Sequence, residues 1–172
     1  MQRDREKIKA LVHYTISRCD NPAQLGAIKL NKVPWVADLW SYLTSGEPIT
    51  GEHYRKMQHG PTVTGMVGVL EELEGEGKIV IRQPRGKRTK VDYLSLQDPD
   101  ISRFTAPEMS LIDEAIQFVC VEHTTAEISE ATHDDIWKLA AIGEDIPLYA
   151  TIASELGEVT PEDIEWARSI SA

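Results

Sequence analysis

Apolar residues recur at helical spacing through most of this chain, and only residues 78–96 replace that pattern with one of strands. Buried positions that repeat every three to four residues form one stripe on a helix but scatter over both faces of a strand, so the chain must fold mainly as packed helices. In residues 4–18 the stripe is Ile8, Leu11, Val12 and Ile16. Asn21-Pro22 interrupts the chain, and a second periodic segment runs through Leu25, Leu30, Val33, Ala37, Trp40 and Leu43. Pro34 lies inside it, deletes a backbone donor and crowds the preceding turn. The segment is therefore expected to kink near Lys32, or to split into a turn and a proline-led helix.

Thr44-Ser45-Gly46 is a stop signal, residues 47–58 read as irregular or extended, and His59-Gly60-Pro61-Thr62 reads as a turn. Val63, Met66, Val67, Leu70 and Leu73 then predict a helix from Pro61 to the Gly75-Glu76-Gly77 stop. The exception follows: Lys78-Ile79-Val80-Ile81-Arg82 is β-branched, Pro84-Arg85-Gly86 is a turn, and residues 91–96 alternate apolar with polar, which predicts a single hairpin. Beyond residue 98 the pattern is helical again. Thr105 with Glu108 forms a capping-box signature ahead of Leu111, Ile112, Ala115, Ile116 and Val119. Thr124 or Thr125 starts a short helix ending near Ala131. Asp134-Asp135 opens another through Ile136 and Trp137, residues 147–156 form a further one, and Thr160-Pro161-Glu162 starts the last. The expected fold is mainly α, a compact helical domain with one small hairpin and a winged-helix-like N-terminal part.

At 172 residues the chain is expected to form a single domain with a core that needs no disulfide or metal. Its charge divides at the middle. Residues 1–99 carry 15 basic and 12 acidic side chains, while residues 100–172 carry 3 and 16. This gives an N-terminal part, 1–97, of helices plus a basic hairpin, and an acidic helical part, 98–172. Cys19 and Cys120 make no CxxC or Cys/His spacing, the charged start lacks the apolar run of a signal peptide, and no segment approaches the length of a membrane span. A cytoplasmic protein, neither exported nor embedded, is expected.

The five histidines stand in no metal-binding frame, and the glycines form neither a dinucleotide fingerprint nor a phosphate loop, so no metal or cofactor is expected. The pairs Glu71-Glu72 and Asp134-Asp135 are neighbours on helices whose side chains diverge by about 100°, unlike the convergent carboxylates of a hydrolase. No GxSxG elbow is present, and no catalytic residue is assigned.

Binding signals are clearer. The run from Lys78 to Lys90 holds six basic residues and no acid, with Arg85, Lys87, Arg88 and Lys90 toward the tip of the predicted hairpin. Such a tip fits a winged-helix regulator that grips DNA phosphates through Lys87, Arg88 and Lys90, an acidic partner protein, or the acidic half of a second copy in a homodimer. The helix that would enter the major groove, residues 62–74, carries Glu71, Glu72 and Glu74 and no base-reading side chain, which weighs against nucleic acid. Trp40 falls on the apolar stripe and reads as core, whereas Trp35 falls off it and reads as an exposed anchor for a partner.

Three segments in order carry a resemblance. Residues 28–40, IKLNKVPWVADLW, are similar to a KLxKLLYxAxxW helix; residues 54–63, YRKMQHGPTV, to an AWxYGPV turn; and residues 129–140, SEATHDDIWKLA, followed by Ile146-Pro147-Leu148, to an LSxxTHxxxPWxxA segment ending in IPL. Together they resemble the SocA-like antitoxin family, the Panacea domain, over residues 8 to about 150. Pro34 stands where that family usually has Leu, and Met57 where it often has Trp. The resemblance implies a small helical antitoxin of a toxin–antitoxin system. It would bind a toxin encoded beside it, in some relatives presenting that toxin to a protease, and members occur in prophages. No catalytic residues are implied; Gly60, Pro61, His133 and Trp137 are implied as structural marks of the fold.

Overall fold

A computed structural model describes residues 3–19, 21–84, 90–133, 137–138, 140–150 and 161–162. Helix α1 (Arg5–Ser17) starts where the Asp4 side chain accepts from the Lys7 amide, and it buries the expected Ile8, Leu11, Val12 and Ile16. Helix α2 (Pro22–Ser45) breaks at Gly26 (φ 60°, ψ 171°) and not near Lys32 or Pro34. Glycine takes a positive φ at little cost, so the bend falls there, and the helix then runs on through Pro34. The loss of one backbone donor at Pro34 is local, and α2 is held by packing against α1, α4 and both hairpins.

The stretch expected to be irregular is a second hairpin. Strand β1 (Tyr54–Met57) pairs antiparallel with β2 (Gly60–Val63), and β1 pairs on its other side with β5 (Asp145–Ile146), giving the order β2-β1-β5. Pro61 therefore opens no helix. It sits in an edge strand, where a missing N–H is tolerated, and the helix begins five residues later. Neither Gln58 nor His59 takes a positive φ; the left-handed residue that closes the turn is Gly60 (φ 94°), so no Asn-Gly signal marked this hairpin. Helix α3 (Met66–Gly75) follows.

The predicted hairpin is present as β3 (Ile79–Arg82) and β4 (Asp92–Ser95), in register from Ile79 opposite Ser95 to Arg82 opposite Asp92. The fold is thus mainly α with two small antiparallel sheets, not one hairpin. The order of three helices and a hairpin expected for the N-terminal part is kept, with the β1–β2 hairpin inserted between α2 and α3. Helix α4 (Ala106–Ile116) carries the predicted capping box between Thr105 and Glu108. A π-helical turn (Gln117–Glu122) extends it, and α5 (Thr125–Ala131) opens with a second capping box between Thr124 and Glu127. Of the helices expected beyond residue 132, Trp137–Lys138, residues 148–150 and residues 161–162 are helical; the remaining positions lie outside the described residues.

Helix α2 is the centre of the core. Leu30, Val33, Val36 and Ala37 are fully or nearly buried, and so is Trp35, at 2% exposure. This corrects the reading of Trp35 as an exposed anchor. The three-stranded sheet covers the flank of α2 that a single stripe leaves open, and the Trp35 ring meets Tyr54 of β1 edge-on at 5.0 Å. Trp40 is half-buried against Phe118 at 5.4 Å.

One buried polar network fastens this arrangement. Asp38, with no exposure, accepts from the Thr50 amide (2.8 Å), the Thr50 hydroxyl (2.5 Å) and the Tyr54 hydroxyl (2.8 Å). Ion pairs tie α1 to its neighbours: Arg3–Glu52 at 2.7 Å, Arg5–Glu72 at 2.7 Å, Lys7–Glu108 at 2.6 Å, and Lys9 with Glu76. Glu72 on α3 and Glu76 just past its end are thereby engaged by α1. Among the described residues no helix is long and apolar enough to cross a membrane.

Candidate functional site

The motif residues scattered through the sequence converge on one cationic cluster. Strand β1 alternates, so Tyr54 and Lys56 point inward while Arg55 and Met57 face out. Helix α2 brings Lys32 to the same place, with 1% of its surface exposed, and its ammonium donates to the Pro61 carbonyl at 2.8 Å. Burial pushes the Lys32 ammonium down to about 7. Lys56 donates to the carbonyls of Ala140 (2.9 Å) and Lys138 (3.3 Å), and its nitrogen stands 4.0 Å above the Trp137 ring. Trp137 donates its indole N–H to the Met57 carbonyl at 3.3 Å.

His133 stacks on the other part of this surface, parallel to Trp137 at 3.6 Å with 5° between the rings. Its Nε2 is buried with no hydrogen-bond partner among the described residues, and its Nδ1 lies 3.8 Å from a Glu130 carboxylate oxygen. Burial lowers its basicity; the charges of Lys32, Lys56 and His59 lower it further, against the pull of Glu130. Lys32 and Lys56 make no ion pair among the described residues, so two buried ammonium groups are satisfied by carbonyls and a ring face. Holding buried charge on neutral partners costs folding free energy. Among the described residues no group of three or more His, Cys, Asp or Glu side chains is placed to hold a metal ion.

Gly60 is the hinge of the cluster. At φ 94° it adopts a backbone that other residues rarely take, and a Cβ there would overlap the Lys32 ammonium and lie 2.6 Å from Thr132 Oγ1, which itself donates to the Ile128 carbonyl. Gly60→Ala is expected to destabilise the fold by about 2–3 kcal/mol in chemical denaturation. Gly46→Ala, at φ 79° with nothing within 4 Å, isolates the backbone part and should cost about 1 kcal/mol. Equal losses at the two positions would mean that Lys32 and Thr132 simply move aside.

A family model described as antitoxin SocA-like, Panacea domain, matches residues 30–138. The chain belongs to this family. No curated protein and no solved structure matches it. The matched stretch of the Panacea domain includes Lys32, Lys56, Gly60, Pro61, His133 and Trp137. The residues named from the resemblance alone are thus neighbours in space: Pro61 through its carbonyl, Gly60 through its missing side chain, His133 and Trp137 through their rings.

The other residues singled out in the sequence do not meet here. Trp35 is core, and Arg85, Lys87 and Arg88 lie outside the described residues. Lys90, at the end of the same basic run, turns back onto the body: its ammonium donates to Thr125 Oγ1 at 3.2 Å and its stem lies against Gly26. Lys32 and Lys56 escaped sequence reasoning as site residues. A signal was present for Lys56, since alternation places it on the face of Tyr54; a lysine on the buried side of α2 has no such signature.

Proposed function

We propose that this Panacea domain is the antitoxin of a toxin–antitoxin system and neutralises a cognate toxin, encoded nearby, by direct protein–protein binding in the cytoplasm. The observation that carries this reading is the family match over residues 30–138. The charge supports it: a chain of formal net charge −10, with its acids concentrated beyond residue 100, favours encounter with a cationic partner and sets the rate of association more than the final affinity. The chain acts as one domain over residues 1–172 and as a binding protein without catalytic residues. The basic run of the sequence that includes Arg85, Lys87 and Arg88 would supply a second contact, to an acidic region of the toxin, to a protease that takes the toxin over, or to another copy of the chain. In the cluster, Lys32, Gly60, His133 and Trp137 hold α2, the β1–β2 hairpin and the segment after α5 in the relative positions that the binding surface needs.

Co-expression with the neighbouring open reading frame under separate inducers tests the proposal. The expected result is growth arrest by the neighbour alone, rescue when both are induced, and a co-purifying complex that weakens between about 50 and 500 mM salt. Toxicity with neither rescue nor a complex would sink the direct-binding reading.

A further inference from the structure

The strongest unassigned surface lies beside Trp40 of α2, where the end of α4 passes into the π-helical turn. A six-residue π turn is rare in proteins and, where it occurs, often marks a functional site, because the wider backbone re-aims the side chains that follow it. Here it leaves Val121 68% exposed and seats Phe118 edge-on against Trp40 of α2. Between them runs an open groove of about 660 Å³.

The groove is apolar on one part of its lining and net acidic on the rest. Trp40, Ile116, Phe118 and Val121 make the apolar part; Asp113, Glu114 and Glu122 outnumber Arg18, whose guanidinium lies over the Tyr14 ring at 5.9 Å, and Gln117 completes the lining. Both glutamates are exposed, and neither makes an ion pair among the described residues. The nearby Asp113, by contrast, accepts the Tyr14 hydroxyl at 2.7 Å. An exposed valine over two half-buried rings favours an apolar or aliphatic side chain, and two unpaired carboxylates beside it favour cations.

We infer that this groove is where the toxin docks, through a cationic amphipathic segment that lays an apolar side chain over Trp40 and Phe118 and sets Lys or Arg residues against Glu114 and Glu122. The inference rests on the antitoxin reading and names the surface that performs it. Charge complementarity selects this occupant over an acidic peptide, which the acidic part repels, and over a purely apolar one, which would leave both carboxylates desolvated without partners.

The test uses the full chain and the product of the neighbouring open reading frame. Glu114→Lys/Glu122→Lys reverses the acidic part at two exposed positions and Val121→Asp puts a charge on the apolar part. Val67→Asp, on the exposed face of α3, is the control because Val67 is 69% exposed and does not line the groove. The groove variants are expected to keep the wild-type melting temperature, to bind the toxin at least about tenfold more weakly, the charge reversal through slower association and Val121→Asp through faster dissociation, and to lose growth rescue, while the control behaves as wild type. If the wild type binds and both groove variants bind equally well, docking is elsewhere and the inference is overturned while the antitoxin reading stands. If the wild type itself neither binds nor rescues, both fall. A groove variant that changes only the oligomeric state, with toxin affinity unaltered, assigns the groove to a second copy and overturns the inference as well.

Discussion

Asp38→Ala is expected to lower the stability of the fold by about 4 kcal/mol, read as a fall in the denaturant midpoint at unchanged slope. The substitution removes the one acceptor group shared by the Thr50 amide, the Thr50 hydroxyl and the Tyr54 hydroxyl. Each is left buried with a lost partner, at roughly 1–3 kcal/mol apiece, and relief of the carboxylate's own burial offsets only part of the total. Asp38→Asn retains an acceptor and should cost less. Burial also raises the Asp38 carboxyl to about 6 from its ordinary value of 3.8, in spite of the hydrogen bonds from Thr50, Tyr54 and the Ile49 backbone that favour its ionised form. Because the folded state binds this proton more tightly than the unfolded state, the contribution of Asp38 to stability falls as pH rises from about 4 to 6 and is level above that. The Asn variant should lack that slope. A wild type and an Asn variant with parallel pH profiles would show that Asp38 titrates normally.

Lys32→Met is expected to act in the opposite sense, raising stability by about 2 kcal/mol near neutral pH, since replacing a buried unpaired charge with an apolar side chain of similar length removes its desolvation cost. The lost hydrogen bond to the Pro61 carbonyl tempers the gain. Burial lowers the Lys32 ammonium from 10.5 to about 7, so between those values the unfolded chain holds a proton that the folded chain has released. Wild-type stability therefore rises with pH across that window, and the advantage of the Met variant is largest below pH 7 and shrinks toward pH 10. Denaturation at pH 6 and pH 9 is the decisive pair of measurements. An advantage of the same size at both would mean that the ammonium is not desolvated. A Met variant that is more stable yet weaker in growth rescue would identify Lys32 as a residue kept for binding at the expense of stability.

The starts of α4 and α5 were legible because capping chemistry is local. Thr105 and Thr124 each accept from an amide three residues on and are answered by a glutamate, whatever the rest of the chain does, whereas α3, which has no side-chain cap, starts five residues later than its periodicity suggested. The β3–β4 hairpin was legible for a similar reason, since alternation and a turn lie within twenty residues. The β1–β2 hairpin was not: its strands are four residues each, its turn uses no Asn-Gly pair, and its inner face is completed by β5, some ninety residues away. The break in α2 was placed at the residue with the stronger general penalty, proline, when the positive φ of Gly26 absorbed the bend.

Of the candidate site, the resemblance drew attention to Gly60, Pro61, His133 and Trp137, but periodicity had no means to join them. Nothing in residues 129–140 encodes that Trp137, with His133 stacked on it, will lie against Lys56, because that contact depends on where the sheet lays β1. Trp35 makes the same point from the other direction. A stripe rule allots one buried face to a helix, and both central helices exceed it: α1 buries Lys9, Ala10, His13 and Thr15 beside its stripe, and α2 is covered on several sides, so a residue off its stripe is as buried as one on it. Helix class, caps and charge division are properties of neighbours along the chain and follow from short-range sterics and hydrogen bonding. The burial of Lys32, Asp38 and Trp35 is a property of what a distant segment places over them, and only the packed structure decides it, since desolvation acts through space and not along the backbone.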